Sequence, residues 1–347
     1  MRAVEVTASR GAQLVGHLLC HNVFDPDSPR RVLLRKGHVI SADDSSTLAR
    51  LGERTVHLLE LGPGDVGETE AGLRLATAAA GEHLKVAGES ESQVRLTADA
   101  RGLLRVETGA LERLHELDCV LVWTLEDRTP VELDRHVASS KIAPLAVGKD
   151  VLEEAERRAG TGLVSVRPYQ PRQVAVLVRE AMDSRAREKF ERSIRSKVAW
   201  FQAPAPRLCY TGSDQGQAAV MLNELTRGGM ELILVGGTGS TDPLDPVFEA
   251  LHQLGGRILR LGVPAHPGST YWLAELNSMP ILGLASCGMF SQMTALDLLL
   301  PRFFSGEQVA PRMLTSLAAG GLIGRDRSHL FPPYDQSHAE TAQRGSS

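Results

Sequence analysis

Residues 233–246 read Ile-Leu-Val-Gly-Gly-Thr-Gly-Ser-Thr-Asp-Pro-Leu-Asp-Pro and have the composition of a strand, a turn and a helix start. The first three residues form a short apolar run, which is typical of a buried strand in a parallel sheet. The glycines permit positive φ angles and a close approach to the backbone, while hydroxyl groups, acids and prolines favour helix starts. The segment therefore predicts a strand that ends in a glycine-rich turn and leads into a helix.

Strand and helix patterns alternate on both sides of this segment. Apolar runs predict strands at 208–211, 231–235, 257–262 and 280–284, and amphipathic spacing predicts helices at 215–227, 245–254 and 291–300. Alternating elements of this kind form a parallel sheet with helices on its faces. We therefore predict an α/β fold whose C-terminal part is a three-layer, doubly wound, mostly parallel sheet.

The rest of the chain is organised differently. Short strand patterns predict a mixed α+β region over residues 1–180, with its last strand at 173–178. We expect a charged helical connector at 181–203, the α/β domain at 204–335 and a disordered polar tail at 336–347. Basic side chains of the connector, including Lys197, are interleaved with acidic ones, which is typical of a solvated helix face.

The composition argues against several classes of function. The 347 residues carry a net charge of −4, which gives no general attraction to nucleic acid or to an anionic membrane. Hydrophobic residues make up 42% of the chain and aromatic residues 4%, so aliphatic side chains must form the cores. We find no secretory signal and no apolar run of membrane-spanning length, and therefore expect a cytoplasmic protein.

The four cysteines, Cys20, Cys119, Cys209 and Cys287, lie far apart in the sequence. No Cys-x-x-Cys pair occurs, so neither a zinc site nor a disulfide framework is expected. Cys287 lies in a Ser-Cys-Gly loop and is the one candidate functional thiol.

The turn after the strand at 231–235 is a candidate phosphate site, because its N–H groups and the following helix start suit an anion. The turn matches neither the P-loop, which needs Gly-Lys-Ser/Thr, nor the dinucleotide pattern, since Asp242 stands where the third glycine belongs. Asp242 and Asp245 are candidate ligands of a hydrated Mg²⁺ that bridges to the phosphate. The alternative is a turn that binds nothing, in which Asp242 caps the helix and Asp245 lies in its first turn.

Three predicted loops follow strands at one edge of the sheet, at residues 212–214, 236–242 and 285–288. Ligands of such sheets bind at the carboxyl ends of the strands. The expected convergence of these loops is the main argument from the residues themselves for a functional site.

Three segments carry a family resemblance: 236–239 with Asp242 and Asp245, 262–268 (Gly-Val-Pro-Ala-His-Pro-Gly) and 282–288 (Leu-Gly-Leu-Ala-Ser-Cys-Gly). Their order resembles the molybdopterin-binding domain of MoaB/Mog type that molybdenum insertases share with molybdopterin adenylyltransferases. Segments 36–37, 64–68, 141–144 and 320–323 resemble the companion regions of insertase-like relatives. The resemblance therefore extends over nearly the whole chain.

The resemblance implies a protein of molybdenum cofactor biosynthesis that binds molybdopterin or its adenylate together with Mg²⁺, with molybdate as a further substrate of an insertase. It also implies a homo-oligomer, and it gives Asp242 and Asp245 the catalytic and metal-binding roles. The cofactor-binding residues that it implies are Gly236, Gly237, Thr238, Gly239, Ser240, Thr241, His266, Pro267, Gly268, Ser286, Cys287 and Gly288. For His266 the alternative is a solvated histidine in a surface turn.

Hypotheses of different classes remain open. An enzyme of this pathway should need Mg²⁺ and Asp242, whereas a non-catalytic pterin carrier or sensor should bind with little dependence on metal. A phosphohydrolase built on the same sheet is a third alternative, which release of phosphate from nucleotide diphosphate compounds would reveal.

Overall fold

The structure, a computed structural model, describes residues 2–90, 93–179, 181–212, 214–284 and 293–334. The chain divides into two compact units. The first comprises residues up to Ala100, Leu104–Asp127 and Val131–Val166, and the second comprises Arg101–Leu103, Arg128–Pro130 and the chain from Arg167 on. The expected tail at 336–347 lies outside the described residues. Within the described ranges, no helix has the length and hydropathy needed to cross a membrane.

The first unit is a mixed α+β structure built on small sheets. Its strands are β1 Arg2–Thr7, β2 Leu18–Leu19, β3 Val23–Asp25, β4 Ser28–Leu34, β5 Thr55–Glu60, β6 Asp65–Gly67, β7 Leu84–Ser90, β8 Gln93–Ala98, β9 Gly102–Val106, β10 Val120–Thr124, β11 Pro130–Val131, β12 His136–Ile142, β13 Ala146–Gly148 and β14 Val164–Pro168. A few residues of β9, β11 and β14 belong to the second unit. Its helices are α1 Ser45–Leu51, α2 Glu68–Ala79, α3 Thr108–Leu114 and α4 Lys149–Ala159.

The main sheet of this unit has the strand order β10-β12-β8-β7, and all of its pairs are antiparallel. Along β10, Val120 and Val122 are buried while Leu121 and Trp123 are exposed. This alternation fits a sheet with one face on a core and one face on solvent. Leu75 of α2 packs into that core, so the helix covers the buried face.

The second unit is built on a six-stranded sheet. Its strands are β15 Val174–Val178, β16 Arg207–Tyr210, β17 Leu232–Gly236, β18 Arg257–Leu261, β19 Trp272–Leu276 and β20 Met279–Leu284. Its helices are α5 Ser184–Trp200, α6 Gln215–Arg227, α7 Pro246–Gln253, α8 Ala295–Phe304 and α9 Pro311–Thr315. The strand order is β16-β15-β17-β20-β19-β18, with parallel pairing from β16 to β20 and antiparallel pairing from β20 to β18.

Helices cover both faces of this sheet, which explains the continuous apolar sequence of β15. Val174, Val176 and Val178 pack into a core with side chains of α5 and α8. The alternate residues Ala175 and Leu177 pack into a second core with α6 and α7. The predicted α/β class is therefore confirmed, and the sheet is mixed because β19 runs against its neighbours.

Three details differ from the sequence-based expectation. The strand expected to close the N-terminal region is β15, which pairs with β16 and β17 inside the six-stranded sheet. The expected connector contains α5, which links β15 to β16 and packs on the sheet, because every third or fourth side chain of this charged helix is apolar. Strand β19 was not predicted, although Trp272–Leu276 is apolar at four of its five positions.

Lys197 is also placed differently from the prediction, because it is buried and not on a solvated face. Its ammonium group forms an ion pair with the buried Asp297 of α8. The other oxygen of Asp297 accepts from the N–H and hydroxyl of Thr294, at 2.8 and 3.0 Å, and so caps α8. Burial raises the pKa of the Tyr334 hydroxyl well above its usual range, and the Asp297 carboxylate raises it further. This group ties α5 to the start of α8.

Replacing Lys197 by Met should lower the free energy of unfolding by about 3–5 kcal/mol, because the Asp297 carboxylate then stays buried without its counter-charge. Urea unfolding followed by circular dichroism measures the change. The matched control is Lys189→Met, at an exposed lysine of the same helix, which should change stability by no more than about 0.5 kcal/mol. Equal effects of the two substitutions would contradict the buried pair.

Candidate functional site

The six-stranded sheet changes its winding direction between β15 and β17. From β15 the chain passes through α5 to β16 on one side, and from β16 it passes through α6 to β17 on the other side. The segment after β15 leads to a helix on one face of the sheet, and the segment after β17 leads to a helix on the opposite face. Such a switch point opens a crevice at the carboxyl ends of the two strands, where open α/β sheets bind their ligands.

Parallel pairing places the carboxyl ends of β16, β15, β17 and β20 at one edge. The strands that precede the three candidate loops, β16, β17 and β20, therefore do end on the same side of the sheet, as predicted. Ser213 of the first loop and residues 285–288 of the third lie outside the described residues. The predicted site residues Ser286, Cys287 and Gly288 belong to that group. The loop that follows β17 is described in full.

The loop at 236–242 is held firmly to the sheet. Gly237 adopts a φ of 86°, a conformation that favours glycine. Its N–H donates to the carbonyl of Leu284 at 3.1 Å, and the N–H of Ser240 donates to the carbonyl of Thr270 at 3.0 Å. The Gly237 N–H is therefore engaged by protein and not directed at a ligand, contrary to the prediction. For the N–H groups of Thr238 and Gly239, no protein acceptor is found among the described residues.

The indole of Trp272 fixes the middle of this loop. Its Nε1–H donates to the carbonyl of the buried Thr238 at 2.9 Å. The ring lies across Gly283 of β20, where an added Cβ would come within 1.8 Å of the indole. Only glycine leaves room for this arrangement, so Gly283 and Trp272 together determine where the loop backbone lies.

Asp245 is the N-cap of α7 and is buried. One of its oxygens accepts from the N–H of Val247 at 3.0 Å and lies 3.5 Å from the Thr238 hydroxyl. The other oxygen accepts from Nε of Arg179 at 2.9 Å and lies 2.9 Å from its Nη2. Both oxygens are thus engaged by protein donors. Asp245 acts as helix cap and partner of Arg179, and the catalytic and metal-binding roles that the resemblance implies for it stay predictions.

Asp242 is exposed and remains the accessible carboxylate of the loop. One oxygen accepts from the N–H of Leu244 at 3.0 Å, and its carbonyl accepts from the N–H of Asp245 at 3.2 Å. These contacts shape the turn, so Asp242 does not cap the helix. Among the described residues no group of three or more histidine, cysteine or acidic side chains is arranged to hold a metal ion. A cation held by Asp242 would therefore need a ligand and water to complete its coordination.

Arg179 is a site residue that the sequence analysis missed. It directly follows β15, and its N–H donates to the carbonyl of Gly236 at 3.0 Å. Its position after an apolar strand was a usable signal, but the strand was expected in the N-terminal region. The structure thus brings a cation to the edge of the Gly236–Asp242 loop.

The turn at 262–268 is tied to two other segments. The N–H of His266 donates to the carbonyl of Gly321 at 2.7 Å, and its carbonyl accepts from Ile323 at 3.0 Å. The carbonyl of Pro267 accepts from Ala295, the first residue of α8, at 2.9 Å. The His266 side chain is exposed. Two of the segments that carry the resemblance, 262–268 and 320–323, are therefore neighbours.

Gly268 is required where the turn meets α8. Its φ is 123°, and an added Cβ would lie 2.6 Å from Cβ of Ala295. Position 268 therefore excludes any side chain, and its contribution to a ligand site is restricted to backbone groups.

Two of the resemblance segments also meet in the first unit. Glu68 is the first residue of α2, and its N–H donates to the carbonyl of Leu145 at 2.8 Å. Gly37 has a φ of 82°, and an added Cβ would lie 2.6 Å from the Glu68 carboxylate. Segments 36–37 and 64–68 are therefore packed against each other.

Residues 10–60 match a family described as a domain of unknown function (DUF8806). No curated protein matches the chain. A molybdopterin biosynthesis MoeA protein from Pyrococcus horikosii is similar in structure at 10% identity and a TM-score of 0.30, with 88% of this chain and 76% of that chain covered. A MogA structure is similar at 15% identity and a TM-score of 0.27, with 38% of this chain and 92% of that chain covered. Values this low assign no function.

Replacing Asp245 by Ala should lower the free energy of unfolding by about 2–3 kcal/mol, because it removes a helix cap and leaves Arg179 without its carboxylate. Asp242→Ala is the matched control, and since Asp242 is exposed the change there should stay near 0.5 kcal/mol. Urea unfolding of both variants gives the comparison. A larger loss for Asp242→Ala would mean that the two carboxylates have been assigned the wrong roles.

Proposed function

We propose that this chain binds a phosphorylated pterin, molybdopterin or its adenylate, at the loop Gly236–Asp242, together with Mg²⁺. The observation that carries the proposal is the position of this loop at the switch point of the sheet, at the carboxyl ends of β15 and β17. The resemblance of segments 236–245 and 262–268 to the molybdopterin-binding domain supplies the ligand class. Molybdate insertion and self-association are further expectations from the same resemblance.

The groups available in the loop suit a phosphate and a hydrated cation. The N–H of Gly239 has no protein acceptor among the described residues and belongs to a partly exposed residue, and a fixed backbone donor binds phosphate well. The hydroxyls of Ser240 and Thr241 would add donors. Mg²⁺ binds in many sites through one or two carboxylates, water and the phosphate itself, so Asp242 alone is enough on the protein side. The bound ion would stabilise charge that develops on phosphoryl oxygens.

A second candidate is a carrier or sensor that binds the pterin without turnover. It is favoured by the contacts of the Asp245 carboxylate, which accepts from Arg179 and from the N–H of Val247. These contacts leave Asp242 as the accessible carboxylate of the loop. Such a protein would bind its ligand through the backbone donors, with little help from Mg²⁺. The dependence of affinity on Mg²⁺ separates the two candidates.

Titration calorimetry with molybdopterin and with its adenylate, at zero and at saturating Mg²⁺, tests the proposal. The enzyme-like site predicts that Mg²⁺ tightens binding by about tenfold or more, which is about 1.4 kcal/mol. Asp242→Asn should abolish this gain and keep the fold, because Asp242 is exposed. Glu249→Gln, at an exposed acid of α7, is the control and should keep the gain.

The other outcomes are equally informative. Binding that is tight and independent of Mg²⁺ would select the carrier. A Mg²⁺ effect that survives in Asp242→Asn would move the metal site away from this loop. Absence of binding under both conditions would refute the proposed ligand class.

A further inference from the structure

Two side chains at the same sheet edge are left unassigned by the proposed site, Arg179 after β15 and Thr211 after β16. The parallel register pairs Val178 with Tyr210, and the N–H of Thr211 donates to the carbonyl of Val178 at 3.1 Å. The next residues on the two strands, Arg179 and Thr211, are therefore neighbours across one strand spacing, about 4.8 Å.

Both side chains also belong to the same face of the sheet. Leu177 and Cys209, two residues earlier on each strand, pack in the core beneath α6 and α7. Side chains of a strand alternate between the faces, so Arg179 and Thr211 continue on that face. The contact of Arg179 with Asp245, the N-cap of α7, agrees with this placement.

Thr211 carries a buried hydroxyl for which the described residues provide no partner. The residue is 6% exposed, and its Oγ1 has no hydrogen-bond partner in the described part of the chain. Sealing a hydroxyl from water without a partner is unfavourable, so folded proteins rarely keep one. The next residue, Gly212, has a φ of 57°, and an added Cβ there would meet nothing within 4 Å. A ligand oxygen that entered beside Gly212 would give the hydroxyl its partner.

Arg179 has donors beyond those that Asp245 uses. Nε and Nη2 both approach the same oxygen, Oδ2, at 2.9 Å, whereas a guanidinium group carries five N–H donors. The side chain is 24% exposed, so it is partly accessible to solvent. Its planar arrangement of donors matches two oxygens of a phosphate.

We propose that Arg179 and Thr211 form an anion subsite for a phosphate group of the bound ligand. The phosphate accepts from the Arg179 guanidinium and from the Thr211 hydroxyl, while Asp245 holds the guanidinium in place from the opposite side. The subsite deepens the proposed function and rests on it for the identity of the whole ligand. Its own prediction concerns phosphate alone and is tested with orthophosphate and pyrophosphate.

The test measures affinity for the two anions by calorimetry at constant ionic strength, together with thermal unfolding of each variant without ligand. Thr211→Val should raise Tm, because a methyl group replaces the unpartnered hydroxyl, and should weaken phosphate binding by about threefold to tenfold, equal to the loss of one hydrogen bond. A purely structural Thr211 would show the rise in Tm without any loss of affinity, which would overturn the proposal.

Two further variants test Arg179 and the carboxylate that holds it. Arg179→Met should weaken phosphate binding by about tenfold or more, as expected for a charge-assisted pair. Asp245→Asn should also weaken it, because the amide oxygen still accepts from Val247 while the amide nitrogen cannot accept from the guanidinium and no longer holds it in place. If Arg179 only stabilises Asp245, both variants lower Tm and neither changes the affinity, and the proposal fails.

The matched control is Arg207→Met. Arg207 is also paired with an acid, Glu224, but it is the first residue of β16 and lies at the amino end of that strand, away from the proposed subsite. Phosphate affinity should therefore stay unchanged. A loss equal to that of Arg179→Met would reveal unspecific attraction to positive charge and would overturn the subsite.

Failure of the subsite and failure of the proposed function give different results. If phosphate binding depends on Arg179 and Thr211 but no pterin binds, the subsite stands and the ligand class is wrong. If molybdopterin binds with dependence on Asp242 while Arg179→Met and Thr211→Val leave phosphate affinity unchanged, the proposed function stands and the subsite is refuted.

Discussion

Parallel pairing of β15 with β16 on one side and β17 on the other is the constraint that fixes the relative positions of Arg179, Thr211 and the Gly236–Asp242 loop. It aligns the carboxyl ends of the strands, so that Arg179, Thr211 and Gly237 follow three neighbouring strands at one edge. The reversal of winding between β15 and β17 then opens the sheet edge at the glycine-rich loop. Residues that are far apart in sequence meet there because strand direction requires it.

Charge compensation organises this edge. The Asp245 carboxylate satisfies the start of α7 and holds Arg179 at the same time, so one buried group links β15, β17 and a helix. Because its carboxylate is buried and engaged by these donors, Asp245 is not accessible to a metal ion in this arrangement, and Asp242 is the exposed acid of the loop. It also keeps a cation close to a loop whose own sequence contains none. The electrostatic character of the site thus depends on a strand outside the glycine-rich segment.

Helices and strands with a strong local pattern could be predicted from the sequence. The position of an element or side chain could not be predicted where it depends on packing between distant parts of the chain. The predicted helix at 215–227 and the strands of β16, β17 and β20 agree with the structure within a few residues, because apolar runs and capping residues mark them locally. The membership of β15 in the six-stranded sheet could not be read from its five apolar residues, which suit any buried strand. Lys197 was misplaced for a related reason, since the acid that neutralises it lies 100 residues away. Within the site, the loop was predicted, whereas the roles of Asp245 and Arg179 depend on a contact between distant residues.

Amide hydrogen exchange at single-residue resolution tests the central claim most directly, namely that the Gly236–Asp242 loop binds a phosphorylated pterin. The amides of Gly237 and Ser240 already donate to protein carbonyls and serve as internal references. On addition of molybdopterin and Mg²⁺, the account predicts new protection at Gly239, with little change at the two references. Unchanged exchange at Gly239 under conditions in which the ligand is bound would contradict the account and place the pterin elsewhere on the chain.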